Sequence, residues 1–368
     1  MSVIQIRREQ FLKPLQSVVG VVERKHTLPI LSNLLIRSQG GKVALIGTDL
    51  ELQISANLLE GAVSEAAFTV SARKLLDISR SLPPETLMDL DLEGETLKIK
   101  AGKSRFTLQT LPARDFPQMQ LDESDGLQFS ISADSLRHLL MRVQYAMAVQ
   151  DIRYYLNGML LSVSGGMLTV AATDGHRLAK DAIPMPLQNP AELDVILPRK
   201  AVVELVKLLG DNLDPVEVHM SAAQIVFKQA GFELRSKVVD GKFPDYQRVI
   251  PVGHDKNVLI GRQLFNQSLA RAAILTNEKY RGIRMVLADN KMRIVCRNNE
   301  QEEAQEELDI EYIQEPMDIG FNVQYLLDIL NNLDCEMVQC SLSDPSSSLL
   351  ISIPGEEYFR YVVMPMRI

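Results

Sequence analysis

The sequence of 368 residues predicts an α+β fold in which one domain architecture occurs three times in succession. Three observations carry this prediction. An apolar strand that runs into an amphipathic helix begins near Ile4, Phe129 and Val258, at a spacing of roughly 125 residues, which suits a whole domain rather than a short repeat. A second helical segment follows in each copy. The elements also keep the same order in all three copies.

The individual elements are predicted from hydrophobic periodicity. After the opening helix, each copy continues with a loop and strand that begin at Thr27, Ile152 and Glu278. A turn and another strand come next. The closing strands begin at Ser104, Phe232 and Phe359. Apolar residues at helical spacing, such as Phe11, Leu15 and Val18, predict helices over 7–25, 70–82, 134–150, 198–210, 262–275 and 321–333.

Composition bounds the class of protein. Hydrophobic residues make up 46% of the chain and charged residues 23%, which allows well-packed cores in two or three domains. The amino terminus lacks the apolar core of a signal peptide, and no stretch has the roughly eighteen apolar residues that a membrane span needs. The sequence therefore predicts a cytoplasmic protein with no membrane partner.

Cysteine usage gives no sign of a metal or a disulfide framework. The three cysteines are Cys296, Cys335 and Cys340, and their spacing fits neither a zinc site nor a set of disulfides. We expect them to be small buried hydrophobic residues. No metal and no cofactor are predicted.

Positive charge is concentrated in the predicted helical segments, and negative charge in the rest of the chain. The six helical segments hold fifteen Lys or Arg and six Asp or Glu, a net charge of +9, whereas the whole chain has −8 and the remainder therefore −17. Any one of these cations alone is typical of a solvated surface. The bias over most of the helices instead favours a surface that binds a polyanion such as a nucleic-acid backbone. Because no base-reading motif is present, such binding would be independent of sequence and sensitive to salt.

Several long stretches make the chain resemble the β sliding clamps of bacterial replicative DNA polymerases, over essentially its whole length. The most specific of them are TLPILSNLL, GTDLE, SRFTLQTLPARDFP, QDIRYYLNGM, TDGHRLA, SKVVDGKFPDY, ARAAILTNEKYRG, NNEQEEAQEE, IGFNVQYLLDIL and YVVMPMR. The resemblance implies three clamp domains, at 1–125, 126–254 and 255–368, each a pair of helices backed by antiparallel β-sheets. It also implies a head-to-tail homodimer that forms a six-domain ring around double-stranded DNA and acts as a processivity factor without a catalytic site.

The resemblance places a subunit interface at two charged strands. Lys98, Lys100, Lys103 and Arg105 flank the strand that bears Phe106 and Leu108, whereas Glu300, Glu302, Glu303, Glu306 and Glu307 crowd a strand of the third copy. Each strand alone is typical of a solvated edge. Across a head-to-tail contact their potentials would be complementary. The interface residues implied in this way are Lys74, Lys103, Arg105, Phe106, Leu108, Ile274, Leu275, Glu300 and Glu303, with Phe106 and Leu108 packing on Ile274 and Leu275 of the other chain.

The resemblance also implies a shared peptide-binding pocket near the carboxyl terminus. Two methionines around a proline suit a surface that accepts several partner sequences, although core packing is the usual fate of such a tail. The matching positions are Leu156, Thr173, Gly175, His176, Arg177, Leu178, Pro244, Arg248, Val249, Asn322, Tyr325, Ser348, Val362, Met364, Pro365 and Met366. The implied partners are the polymerase alpha subunit, the clamp-loader delta subunit, translesion polymerases, mismatch-repair proteins and ligase, each through a short linear motif. Tyr280 and Ile368 are the positions where the rim of the pocket is expected to differ from the family.

A third set of residues is implied to follow DNA. It consists of Arg24, Arg73, Arg80, Gln150, Tyr154, Tyr155 and Arg199. Arg24 and Gln150 are expected to end the first helices of the first two copies, and Arg80 and Arg199 to lie at the second helices. A tyrosine pair is usually a packing feature, but Tyr154 and Tyr155 have rings that could also stack on single-stranded bases.

Two other classes of protein remain open. Asp174, His176 and Arg177 together resemble an active-site cluster. No second histidine at ligand spacing accompanies them, however, and no GxSxG, Walker A, CxxC or HExxH motif occurs. The equivalents of TDGHRLA are TDLELQI in the first copy and RNNEQEE in the third, which favours a binding groove over an enzyme. A monomeric β-rich scaffold is the other alternative, and the mass of the protein in solution would distinguish it.

Overall fold

The computed structural model describes residues 2–23, 27–120, 126–185, 192–210, 213–277 and 281–367. Within these residues each of the three predicted copies consists of eight strands and two helices. A strand leads into a helix, four strands follow, a second helix comes next, and three strands end the copy. The predicted α+β class and the threefold repeat are therefore confirmed.

The first copy contains β1 Ser2–Arg7, α1 Arg8–Val19, β2 Asn33–Gln39, β3 Lys42–Thr48, β4 Leu52–Leu58, β5 Ala66–Ser71, α2 Ala72–Ser81, β6 Leu87–Glu93, β7 Thr96–Ala101 and β8 Ser104–Pro112. The second contains β9 Leu127–Ser132, α3 Ala133–Val143, β10 Gly158–Ser164, β11 Met167–Thr173, β12 Arg177–Pro184, β13 Leu193–Pro198, α4 Arg199–Leu209, β14 Pro215–Met220, β15 Gln224–Gln229 and β16 Phe232–Lys237. The third contains β17 Lys256–Gly261, α5 Arg262–Ala273, β18 Gly282–Ala288, β19 Lys291–Arg297, β20 Glu303–Asp309, β21 Met317–Asn322, α6 Val323–Asn331, β22 Met337–Leu342, β23 Leu349–Ser352 and β24 Arg360–Val363.

Each of these six helices begins at the residue that follows a strand. Their buried faces have the spacing of an amphipathic helix: α1 buries Phe11, Leu15 and Val18. In α6 the side chain of Asn322 accepts a hydrogen bond from the backbone N–H of Gln324, which satisfies one of the unpaired donors of the first turn. The local pattern therefore explains both where the helices start and which faces they bury.

Contacts divide the chain into two compact units. Residues 1–137 and 200–238 form the first, whose twelve strands make one antiparallel sheet in the order β1-β6-β7-β8-β5-β2-β3-β4-β16-β15-β14-β9. Residues 138–199 and 239–368 form the second, with sheets in the orders β13-β10-β11-β12-β24-β23-β22-β17 and β20-β19-β18-β21. Pairing of β4 with β16 joins strands of the first and second copies, and pairing of β12 with β24 joins strands of the second and third.

Two of the predicted first helices end early. The α1 helix ends at Val19 and not at residue 25, because the chain turns after Gly20. The α3 helix ends at Val143, followed by a 3₁₀ turn over Gln144–Ala146, so Gln150 lies beyond the helix and not at its end. Met147 continues the apolar spacing, but it is buried after the chain has left the helix. Apolar spacing alone therefore predicted too long a helix.

The three cysteines are free. Cys296 and Cys340 are buried, as expected for small hydrophobic residues, whereas Cys335 is only half-buried and does not meet that expectation. Burial raises the pKa of the Cys340 thiol to about 12. Within the described part of the chain, no cluster of three side chains has the composition of a metal site. None of the helices in the same part is long and apolar enough to cross a membrane.

Candidate functional site

A cavity of about 190 Å³ in the second unit contains most of the predicted pocket residues. It lies among the turn that joins β11 to β12, the strand β24 with the tail that follows it, and the segment around Pro244. Its walls are Arg153, Tyr155, Leu156, Thr173, Gly175, His176, Arg177, Leu178, Pro244, Asp245, Tyr246, Val249, Val362 and Met364. The structure thus brings together residues from four separate parts of the sequence.

The turn between β11 and β12 is fixed by its own side chains. The Thr173 hydroxyl donates to the carbonyl of Arg177 at 2.6 Å and accepts from the N–H of Gly175 at 3.0 Å. One carboxylate oxygen of Asp174 accepts from the N–H groups of His176 and Arg177. Gly175 has a φ of +90°, a conformation that glycine adopts at little cost. The rim of the cavity is therefore a preformed turn.

The first copy contains the same turn, but the aspartate of that turn pairs with a different cation. Thr48 donates to the carbonyl of Leu52, and Asp49 accepts from the N–H groups of Glu51 and Leu52. There the carboxylate of Asp49 pairs with Lys200, whereas Asp174 pairs with Arg177 at 3.1 Å. In both copies the aspartate shapes the backbone and neutralises a cation. This arrangement does not favour the use of Asp174 as an acid or base.

Arg177 is the most constrained side chain of the cavity. Its guanidinium donates to Asp174 and Asp328 and to the carbonyl of Tyr145, and it lies 4.5 Å from the ring centre of Tyr325. Burial disfavours the charged guanidinium, but Tyr361 and the two carboxylates outweigh that effect and raise its pKa above the usual value. Arg177 therefore stays positively charged and is held in one position.

Arg153 forms the part of the rim beside this turn. Its guanidinium binds Asp151 through two hydrogen bonds of 2.9 and 2.8 Å and donates to the carbonyl of Asp174 at 3.1 Å. These hydrogen bonds lower the pKa of the Asp151 carboxyl to about 2. A Cβ at position 175 would lie 3.0 Å from the guanidinium nitrogens, so any other residue there would make Arg153 shift by a few tenths of an ångström.

The carboxyl-terminal tail completes the cavity. The N–H of Met364 donates to the carbonyl of His176, and the N–H of Met366 donates to the carbonyl of Gly320, both at 2.9 Å. Val362 is buried, but the Met364 residue is 42% exposed at the mouth of the cavity. The tail is thus held by backbone bonds while one flexible thioether faces solvent.

Six residues that the sequence assigned to the pocket do not line this cavity: Arg248, Asn322, Tyr325, Ser348, Pro365 and Met366. Tyr325 stacks on the lining residue His176 with ring centres 6.5 Å apart. Asn322 caps α6, and Arg248 pairs with Asp245 at 2.7 Å. Tyr280 and Ile368 lie outside the described residues.

Four lining residues were not predicted for the pocket. They are Arg153, Tyr155, Asp245 and Tyr246. All four lie in stretches that the sequence singled out for other reasons, QDIRYYLNGM and SKVVDGKFPDY. Their proximity to the carboxyl-terminal tail arises from pairings distant in sequence, so no local signal identified them.

Many of the cations in the helical segments already form ion pairs or hydrogen bonds within the chain. Lys200 donates to the carbonyl of Val21 at 2.9 Å and pairs with Asp49, while Lys207 pairs with Glu204 at 2.7 Å. Arg142 is buried between Asp181 and Glu356. The net charge of the helices therefore overstates the charge that is available to a polyanion.

The residues implied to follow DNA differ in accessibility. Arg73 and Arg80 are exposed on α2 and, seven residues apart, share one face of the helix. Arg199 donates to the carbonyl of Met147 at 3.0 Å, and burial lowers the pKa of its guanidinium. Gln150 and Tyr154 are exposed, whereas Tyr155 packs edge-on against Tyr154. Arg24 lies outside the described residues.

The basic strand implied at the interface has an open edge in the first unit. Residues 104–109 of β8 pair only with β7 in the described structure, since β5 pairs with Thr110–Pro112 alone. Phe106 and Leu108 are half-buried on this strand, and Lys103 and Arg105 beside them are exposed. Lys74 is exposed on α2 of the same unit.

The acidic strand has an open edge in the second unit. β20 is the last strand of its sheet, and within the described part of the chain it pairs only with β19. Its glutamates are partly neutralised within the chain, since Glu303 pairs with Arg297 and Glu306 with Arg271. Glu300 is exposed in the turn before the strand. Ile274 follows α5 and is 76% exposed, and Leu275 is half-buried.

Comparison with known proteins covers almost the entire chain. Three family models match: the N-terminal domain of the DNA polymerase III beta subunit over residues 2–120, its central domain over 130–245 and its C-terminal domain over 247–367. The beta sliding clamp of Pseudomonas aeruginosa is 48% identical over 99% of both chains, and that of Escherichia coli K12 is 44% identical over the same shares. The crystal structure of the DNA polymerase III subunit beta from Pseudomonas aeruginosa, 48% identical, superimposes with a TM-score of 0.94 over 99% of this chain and all of that one.

Proposed function

Since the chain belongs to the family of beta sliding clamps, the DNA polymerase III beta subunits, and is thus a DNA sliding clamp, we propose that two copies close head to tail into a six-domain ring. The ring would encircle double-stranded DNA in the cytoplasm and increase the processivity of the polymerase without catalysis of its own. The proposed domains are residues 1–125, 126–254 and 255–368.

The observation that carries the ring is the pair of open strand edges. One edge is basic and bears Phe106 and Leu108, and the other is acidic and lies on β20. An open edge is a ready template for another strand, and opposite charges on the two edges favour pairing of unlike edges over like ones. A chain that carries both edges pairs head to tail with a second copy of itself. Two such contacts close a ring.

The cavity at the carboxyl terminus is the proposed site for partner proteins. It is concave and largely apolar, with a preformed rim and a flexible methionine at its mouth, which are features of a groove for short peptides. The polymerase alpha subunit, the clamp-loader delta subunit, translesion polymerases, mismatch-repair proteins and ligase are the proposed occupants, each through a linear motif. Competition for one site would make their binding mutually exclusive.

Contact energy alone would not keep such a protein on DNA. Non-specific phosphate contacts give dissociation constants of about 10⁻⁴–10⁻⁶ M at physiological salt. A closed ring needs no strong contacts, because it is retained by topology. Weak, water-screened contacts then have the advantage that they permit sliding.

The test of encirclement compares circular with linear DNA. Protein loaded by the ATP-dependent clamp loader onto nicked circular DNA is expected to remain bound through a high-salt wash, which abolishes phosphate contacts. Cutting that circle with a restriction enzyme is expected to release it within minutes through the ends. Gel filtration measures both. Equal retention on circular and linear DNA would mean that the protein binds by contact, and the ring would be wrong.

The contribution of the exposed helix cations is tested separately. Replacing both Arg73 and Arg80 with alanine is expected to lower the slope of log K against log salt by about 2 on linear duplex, since each phosphate contact releases roughly one counterion. Fluorescence anisotropy measures the slope. The matched control is Arg37→Ala, because Arg37 is also exposed but lies on strand β2 and not on a helix. A similar change with the control would assign the effect to net charge rather than to this surface.

A further inference from the structure

A second and larger cavity adjoins the peptide cavity in the same unit. It measures about 730 Å³ against about 190 Å³, and the two share Pro244, Asp245 and Tyr246 as a common ridge. Among the described residues assigned to DNA or to the dimer, none lines it. A bound peptide that extends from the smaller cavity across this ridge would enter the larger cavity.

The floor of the larger cavity is apolar. Leu160, Ile196 and Phe243 belong to one buried cluster, and Tyr246 packs against Phe243 edge-on with ring centres 6.3 Å apart. Burial raises the pKa of the Tyr246 hydroxyl, and Asp194 and Asp245 contribute to the same shift. The floor can therefore bury apolar atoms of a ligand, and the carboxylates of Asp194 and Asp245 lie beside this floor.

One wall is the open edge of a sheet. β13 is the last strand of its sheet and pairs with β10. The carbonyl of Ile196 accepts from the N–H of Val239 at 2.9 Å, so the backbone of Ile196 faces away from β10. Backbone groups alternate along a strand, and those of Asp194 consequently face the same way. Within the described residues no backbone group bonds to them, which leaves a donor and an acceptor for an extended segment.

The walls carry a net negative charge. Glu192, Asp194 and Asp245 line the cavity, and among the described residues Lys242 is the one cation that lines it. Asp245 pairs with Arg248, and Glu192 accepts from the hydroxyl of Ser164 at 3.2 Å. Asp194 is exposed and has no ion pair in the described part of the chain. A cationic ligand would therefore find an unneutralised carboxylate beside the apolar floor.

We propose that this cavity, the flank groove, binds the extended segment that adjoins a partner's clamp-binding motif and selects segments with a lysine or arginine. Three features support this occupant: the ridge shared with the peptide cavity, the open backbone edge of β13, and the charge of Glu192 and Asp194. The proposal rests on the peptide-binding role of the smaller cavity. It adds a second determinant by which partners that share one motif differ in affinity.

The test uses a peptide with the clamp-binding motif alone and four extended versions. The extensions contain lysines or glutamates and are placed at the amino or the carboxyl end of the motif. Calorimetry at low ionic strength is expected to show, at one of the two ends, about fivefold tighter binding for lysine than for glutamate, as for exposed charge pairs. Asp194→Asn combined with Glu192→Gln is expected to bring that ratio close to one without changing the affinity for the motif alone.

The control variant is Glu311→Gln, an exposed glutamate of the same unit that lines neither cavity, and it is expected to retain the fivefold ratio. A ratio near one at both ends of the motif in the unmodified protein overturns the flank groove. So does a ratio that survives the double substitution. A motif peptide that fails to bind at all overturns the peptide-binding role of the smaller cavity together with the flank groove, whereas binding of the motif without a charge preference overturns only the latter.

Discussion

Replacing Ile274 and Leu275 together with asparagine is expected to convert the dimer into a folded monomer. Ile274 is 76% exposed in the single chain and contacts little that a polar side chain would disturb, so the fold should survive. Apolar anchors at the centre of an interface each contribute about 2 kcal/mol or more, whereas charged rims contribute less. Because the ring has two such contacts, loss of both anchors from each chain would weaken each contact by about a thousandfold, and the closed dimer by more. Analytical ultracentrifugation at low micromolar concentration measures the change.

The matched control for the dimer is Ile313→Asn. Ile313 is 93% exposed and lies outside the strands implied at the interface, so this variant removes an apolar side chain that is more exposed than Ile274 and should remain a dimer. Circular dichroism and thermal unfolding establish that both variants are folded. A double variant that stays dimeric at low micromolar concentration would show that the interface lies elsewhere. A monomeric control would show that general surface hydrophobicity drives association.

Met364→Asp is expected to abolish binding of a motif peptide from the replicative polymerase while leaving the dimer intact. The thioether of Met364 stands at the mouth of an apolar cavity, and a carboxylate there would lose its hydration without gaining a partner when the peptide binds. A penalty of about 3 kcal/mol corresponds to more than a hundredfold weaker binding. Calorimetry with the two proteins side by side measures the difference.

Two further variants make the Met364 result specific. Met364→Leu preserves apolar contact and is expected to retain most of the affinity. Met337→Asp introduces the same charge at a methionine of similar exposure, 37% against 42%, which lies on β22 outside the cavity. This variant should bind the peptide normally. Unchanged affinity in Met364→Asp would place the peptide site away from the carboxyl-terminal tail.

The sequence by itself determined the threefold order of elements and the starts of the helices. These features depend on local periods, since a strand alternates every second residue and a helix repeats near 3.6. The turns at Asp49 and Asp174 are local in the same sense. Threonine and aspartate at matching positions in TDLE and TDGH produce the same hydrogen bonds, although one turn uses Leu50 with a φ of 79° and the other Gly175.

Only the tertiary structure decided which charges remain available and which residues meet. Lys200 forms an ion pair with Asp49, 151 positions away in the sequence, and Arg142 forms one with Glu356, 214 positions away. The same pairing of distant strands brings Arg153 and Tyr246 to the cavity beside Met364. Local periodicity predicts that a side chain points away from the core, but it does not predict which residue pairs with that side chain. The pairing residue depends on strand order and register between segments far apart in the chain.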